Sequence, residues 1–316
     1  MSVKMKDAIH FPYSICIPRG IGRGGGCKRF WNYFEEFLSK NGICYHRDIF
    51  KRSDFLMLNS WQGSYYSYKL CNILYPKRIK VQRIDGCANE YGRDGCWDNK
   101  QRRINKIVDF VIYQSEYSRY VTSEKHTIIS GRGCVIYNPV DTDLFSPYGE
   151  KLSLSGATRI AFCSNSANPK KGFHDVVTVA KNNPDLTFFI AGNMPESELP
   201  ENIVLLGYLS KTELSMMLRS CHLFIFFSEN ESCPNIVLEA MASGLPIIYK
   251  NSGGTVEIVG DAGISASVET FRHAFGILWR NYKEFRMKAQ IRAEEEFSVN
   301  KIIPSYLGKM RALMET

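Results

Sequence analysis

Glu231 and Glu239 stand eight positions apart, and the stretch that joins them, Ser232-Cys233-Pro234-Asn235 and onward, reads as a helix start. Proline suits a first helical turn, where its missing N–H costs nothing. The first N–H groups of a helix lack internal partners, and its dipole directs positive charge at the preceding loop, a setting that suits a diphosphate. Two acceptor-only carboxylates flanking that position could hold two polyhydroxyl groups, one on either side of the diphosphate. A nucleotide sugar has that layout: ribose, diphosphate, sugar. Spacing alone does not separate this from a surface helix that carries two glutamates by chance.

The flanking sequence predicts the elements that would position these groups. The apolar run 223–227 is short enough for a buried strand, and Ser228-Glu229-Asn230 make a polar turn. The helix is expected through Glu239 to about Ser243, with Gly244 as its stop. Residues 245–249 form a second apolar strand, and Gly253-Gly254 open another helix. Strand, loop and helix repeated in this way predict a parallel sheet that binds ligands at its strand ends.

The whole chain has 316 residues, enough for two domains of about 150 residues each. With 44% hydrophobic residues it can fill two cores, and no apolar run approaches the roughly 18 residues of a membrane helix. The first residues lack the apolar centre and cleavage site of a signal peptide, so a cytoplasmic protein is expected. The 10 cysteines form no C-x-x-C pair and no zinc spacing with histidine, which predicts reduced thiols and no metal. The net charge of +8 is uneven. Residues 1–148 hold 23 Lys and Arg against 14 Asp and Glu, a net +9, and the remainder carries −1. So lopsided a distribution favours an anionic partner for the first half over a merely solvated basic face.

In that half, a first strand over 11–17 runs into a loop with Gly20, Gly22, Gly24, Gly25 and Gly26, whose backbone can approach a ligand closely. A helix follows, with Phe30, Phe34, Phe37 and Leu38 on one face. The loop lacks the Gly-Lys-Ser/Thr ending of a P-loop. After a strand over 54–59 comes an aromatic segment with Trp61, then a basic, partly alternating stretch over 77–84, and Asp85-Gly86 turn the chain. Arg23, Trp61, Arg83, Tyr91, Arg93 and Trp97 are candidates to line an acceptor site. Aromatic rings stack on sugars and on bases alike, so they do not choose the acceptor. Asp141-Thr142-Asp143 satisfies a metal-binding Asp-x-Asp spacing, but its Asn-Pro-Val and Leu-Phe-x-Pro flanks read as a linker. In the second half, Ser210-x-x-Glu213 is a capping box, and His222 reads as a core or capping histidine.

Glu231, seven residues, then Glu239-Ala240-Met241-Ala242-Ser243-Gly244-Leu245-Pro246, followed by Gly253-Gly254 and Glu257, resembles the donor-site signature of glycosyltransferase family 4. Lys171-Gly172 resembles the family's Lys-Gly, whose lysine reaches the donor diphosphate, and Gly207-Tyr208-Leu209 resembles its base-binding loop. Ser115-Glu116 and the string 138–147 also match, the latter as the interdomain connection. One departure stands out: Asn165 occupies the place of the family's second phosphate-binding arginine and supplies no charge, which leaves Lys170 to compensate.

The resemblance implies an α/β GT-B fold, two Rossmann-like domains facing across a cleft, with a C-terminal helix crossing back to the first. Residues 1–147, with a helix at about 299–316, would bind the acceptor, and 148–298 the donor. It also implies transfer with retention at the anomeric carbon and no obligatory cofactor or metal beyond a nucleotide diphosphate sugar as donor substrate. Donor contacts would come from Asn165, Lys170, Lys171, Gly207, Tyr208, Glu231, Ser232, Cys233, Pro234, Asn235 and Glu239. Among them, Glu231 would orient the sugar and Glu239 the ribose. Glu231, Lys171 and Asp85, which stands where the family carries a His or Asp near the sugar, form the catalytic set. The loop of Gly22, Gly24, Gly25 and Gly26 would lie at the cleft.

The expected acceptor is a surface glycan or lipid-linked saccharide contacting the basic first domain, which allows peripheral attachment to a membrane surface. The alternative is a hydroxylated base of DNA, which would have to be flipped into the site. A sugar-nucleotide epimerase or a non-catalytic sugar-nucleotide binder could use the same fold. No stable protein partner is inferred.

Overall fold

The protein is seen in a computed structural model that describes residues 10–22, 25–166, 168–194 and 198–315. Two compact units emerge: Met1–Pro139 with Val299–Thr316, and Val140–Ser298.

The first unit contains, in order, β1 (Ile15–Cys16), α1 (Gly25–Lys40), β2 (Tyr45–His46), β3 (Phe55–Asn59), α2 (Tyr65–Leu74), β4 (Ile79–Ile84), α3 (Cys96–Asn105), β5 (Phe110–Tyr113), α4 (Glu116–Arg119) and β6 (Gly133–Val135). Its strands lie in the order β2-β1-β3-β4-β5-β6, and every pairing is parallel. β3 and β5 are buried at every residue, the pattern of strands covered on both faces.

The second unit contains β7 (Arg159–Cys163), α5 (Phe173–Asn182), β8 (Thr187–Ala191), β9 (Ile203–Gly207), α6 (Lys211–Ser220), β10 (Leu223–Phe226), α7 (Asn235–Ala242), β11 (Ile247–Tyr249), α8 (Thr255–Val259), β12 (Gly263–Ser265), α9 (Phe271–Arg280) and α10 (Tyr282–Phe297). Its order, β12-β11-β10-β7-β8-β9, is again all parallel. The last helix, α11 (Val299–Met314), belongs to the first unit. There Phe30 and Phe34 of α1 meet Tyr306 at ring-centroid distances of 5.1 and 6.0 Å. At the edge of the second unit, Val140 N–H donates to the Phe297 carbonyl at 2.8 Å, so the two chain segments that leave this unit run side by side.

Gly25 and Gly26, expected in a loop, instead form the first turn of α1. The buried stripe of Phe30, Phe34 and Leu38 outweighs the roughly 1 kcal/mol that a glycine costs a helix interior. Arg23 and Gly24 lie outside the described residues.

In each sheet the strand order reverses at one place, between β1 and β3 in the first unit and between β7 and β10 in the second. Outside the carboxyl ends of strands at such a reversal, the loops diverge to opposite faces and leave a crevice for ligands.

Candidate functional site

In the second unit, β7 and β10 deliver their following loops to one place. The loop after β7 carries Asn165, Lys170 and Lys171, and the loop after β10 carries Glu229, Asn230 and Glu231. The two are tied together. Glu229 N–H donates to the Lys170 carbonyl at 2.8 Å, and Ser228 Oγ donates to the Lys171 carbonyl at 3.1 Å. Gly172 is required where it stands. Its φ is +76°, and a Cβ there would sit 2.4 Å from the Phe227 carbonyl oxygen. Gly253 makes an equally close approach from the other side, where a Cβ would lie 2.5 Å from the Glu231 carbonyl oxygen, and Gly254 N–H donates to that oxygen at 2.8 Å.

This scaffold brings Lys171 Nζ against Glu231 Oε1 in an ion pair, with the two side chains 27% and 15% exposed. A second lysine, Lys250 at the end of β11, pairs with Glu229 at 2.5 Å and with Asp175 at 3.2 Å. The hydrogen bond to Glu229 holds the Lys250 ammonium above its ordinary range against the opposing effect of burial. α7 begins just after Pro234, whose backbone is extended. Ser232, Cys233 and Pro234 are buried and Asn235 is half-buried. Glu239, one turn further in, is only 1% exposed. Asn165 is exposed beside Gly192, Gly207 closes β9 with an exposed backbone, and Tyr208, the next residue, is exposed. Asp141 Oδ1 accepts from the N–H groups of Asp143 and Leu144 at 3.1 and 3.0 Å, an ordinary turn.

The first unit has its own cavity, about 260 Å³, at the carboxyl ends of β3 and β4. Trp61, Asp85, Tyr91, Arg93 and Trp97 line it together with Ser60 and residues 86–88. Thus five of the side chains singled out from sequence converge on one space. Trp61 and Trp97 pack with centroids 4.3 Å apart, and Lys100 Nζ lies 6.0 Å from each ring. Arg93 lies over Tyr91 at 5.4 Å.

Arg83 is not among the lining residues. Its side chain is fully buried, so it cannot meet an acceptor as expected. It pairs with Asp85, donates to Asn59 Oδ1 at 2.9 Å and to Asn138 Oδ1 at 2.6 Å, and covers the Phe30 ring at 4.0 Å. Burial works against the charge of this guanidinium, yet the neighbouring Asp85 leaves its pKa raised overall. Asp85 also accepts from Asn59 Nδ2 and Gln114 Nε2, each at 2.5 Å. Three side chains, from the ends of β3, β4 and β5, therefore fix this carboxylate. Beside it, Ser60 has a φ of 41°, rare for a residue with a side chain. It is held there by donation from its N–H to the Arg83 carbonyl and by acceptance from Asp85 N–H, both at 2.7 Å. Sequence reasoning missed Asn59, Ser60, Gln114 and Asn138. The available signal was a polar residue closing an otherwise apolar strand, as Asn59 and Gln114 do.

Residues 148–274, which contain Lys171, Glu231 and Glu239, match a known family model. Its description is glycosyl transferases, group 1. The chain is similar to the 2-deoxystreptamine N-acetyl-D-glucosaminyltransferase of Niallia circulans, 26% identical over 211 residues that make up 59% of this chain and 53% of that protein. It is also similar to the processive diacylglycerol α-glucosyltransferase of Acholeplasma laidlawii, 21% identical over 168 residues, 48% of this chain and 50% of that protein. The chain spans about half the length of these curated relatives. Among solved structures, a glycosyltransferase from Rickettsia africae superposes with a TM-score of 0.76 at 16% identity, covering 96% of this chain and 99% of that one. Anabaena HepE in complex with UDP and glucose gives 0.73 at 17% identity, covering 94% and 99%. The architecture is GT-B: two Rossmann-like units, with the last helix returned to the first.

Proposed function

We propose that the protein transfers a sugar from a nucleotide diphosphate sugar to a hydroxyl acceptor. The second unit takes the donor, and the cavity of the first unit takes the acceptor. The observation that carries this reading is the Lys171–Glu231 pair at the strand-order reversal between β7 and β10, within the segment that matches the glycosyltransferase family. Lys171 and Asn165, with the backbone at the start of α7, balance charge on the leaving diphosphate, which is electrostatic catalysis of C–O cleavage. Glu231 orients the sugar hydroxyls and Glu239 the ribose. Transfer proceeds with retention and needs no divalent cation, in keeping with the family resemblance. Asp85, fixed by three side chains, receives a hydrogen bond from the acceptor, and Trp61 and Trp97 offer it a stacking surface. The acceptor in this reading is a saccharide on a surface glycan or lipid carrier, although the rings would stack on a base as well.

A thermal-shift screen of nucleotide diphosphate sugars tests the reading, beginning with UDP-glucose and UDP-N-acetylglucosamine. One donor should raise the melting temperature, and slow release of free sugar from that donor should follow. An isomerised donor, or binding with no release at all, would overturn transfer in favour of an epimerase or a binding protein.

A further inference from the structure

α2 is apolar on two sides. Tyr68 and Cys71 are buried in the first unit. Tyr66, Leu70, Ile73 and Leu74 recur at the spacing of a single helix face, yet they are 77, 47, 69 and 53% exposed. Phe50, 48% exposed, lies beside this helix, where Tyr75 donates to its carbonyl. Among the described residues, five of the 14 exposed large hydrophobic side chains thus lie on or beside this helix, where scattered single residues would need no explanation. The rim is cationic: Lys51, Arg52, Lys69 and Lys77 are all exposed, and α2 contains no Asp or Glu. The adjacent carboxylate, Asp48, accepts from Phe50 N–H at 2.9 Å.

We infer that this face rests on an anionic membrane surface, with α2 lying in the plane of the interface. Charge decides against a second copy of the chain. A two-fold contact would set this cationic rim against itself, and like charges brought together oppose association. A bilayer with acidic headgroups accepts aromatic and aliphatic side chains at the acyl boundary and pairs with the surrounding lysines. α2 has ten residues, and no described helix is long and apolar enough to cross a membrane, so the helix lies on the bilayer and does not span it. The inference concerns the first unit's surface alone and holds whether or not the second unit binds a nucleotide sugar.

Co-sedimentation of the full chain with phosphatidylcholine vesicles, plain or containing about one third phosphatidylserine, tests it. The protein should pellet with the acidic vesicles, less so as salt rises, and remain soluble with the neutral ones. The Leu70→Glu/Ile73→Glu variant should stay in the supernatant with an unchanged circular dichroism spectrum. Lys69→Gln/Lys77→Gln, at two exposed positions, should weaken binding by roughly five-fold per lysine and carries the test should the first variant misfold. The inference is overturned if wild type ignores acidic vesicles, or if the lysine variant binds them as tightly. It is equally overturned if light scattering reveals a dimer that Leu70→Glu dissociates.

Discussion

Lys171 and Glu231, sixty residues apart in sequence, meet as an ion pair where the neighbouring strands β7 and β10 end. A diphosphate arriving there would compete with Glu231 for the ammonium and free the carboxylate to meet sugar hydroxyls. The same pair would then serve both halves of the donor, the lysine at the leaving group and the glutamate at the sugar.

Lys171→Gln should therefore lower turnover at saturating donor by roughly 100-fold, the typical loss on removing one preorganised group that stabilises developing charge. Steady-state kinetics with the donor identified by thermal shift will read it. Turnover within a factor of two of wild type would remove Lys171 from the catalytic set.

Gly172→Ala should destabilise the fold by about 3 kcal/mol, because a left-handed backbone and a blocked Cβ position add together. Gly207→Ala shares the positive φ but has nothing within 4 Å of the added carbon, so about 1 kcal/mol is expected. Urea denaturation of the two variants separates strain from steric conflict. Equal losses would show that Phe227 does not press on this turn.

Much of this scaffold was legible in the sequence. The run 223–227 and the stop at Gly244 announced β10 and α7, since short apolar runs and a helix-ending glycine are local signals. Trp61, Tyr91, Arg93 and Trp97 stand out as rings and cations and Asp85 through the family resemblance, and the segments after β3 and β4 carry them into one cavity. The Lys171–Glu231 contact was not legible, because the adjacency of β7 and β10 is a property of topology. Arg83 was misread for a related reason. A strand arginine reads as exposed until Asn59, Asp85 and Asn138 are known to converge on it, and two of these are distant in sequence.

Arg83→Met should cost about 3 kcal/mol, because it leaves Asp85 without its countercharge. The loss should be smaller in an Asp85→Asn background, since the partly exposed carboxylate is then gone. Denaturation of the single and double variants gives the coupling. Additive losses would mean that Arg83 acts through Asn59, Asn138 and Phe30 and not through Asp85.

Acid should weaken the fold through His222. Burial, with Arg159, Arg286 and Lys151 adding to it, holds this imidazole below its ordinary 6.5. Its Nδ1 accepts from Arg159 N–H at 3.0 Å and so must stay unprotonated. As pH falls below 6.5 the unfolded chain binds a proton that the folded chain refuses, so stability declines until the lowered folded pKa is passed. Above 6.5 this group contributes no slope. Melting temperatures measured between neutral and mildly acid pH should fall for wild type and stay flatter for His222→Asn. Parallel curves would assign the acid sensitivity elsewhere.

Calorimetric titration of the full chain with its nucleotide diphosphate sugar, repeated on Glu239→Ala and Glu231→Ala, bears most directly on the donor site. Wild type should bind, Glu239→Ala should lose at least about tenfold in affinity through the ribose contact, and Glu231→Ala should keep binding the free nucleoside diphosphate while losing preference for the sugar-bearing form. Unchanged affinity in both variants, with the fold intact, would contradict the placement of the donor between these two carboxylates.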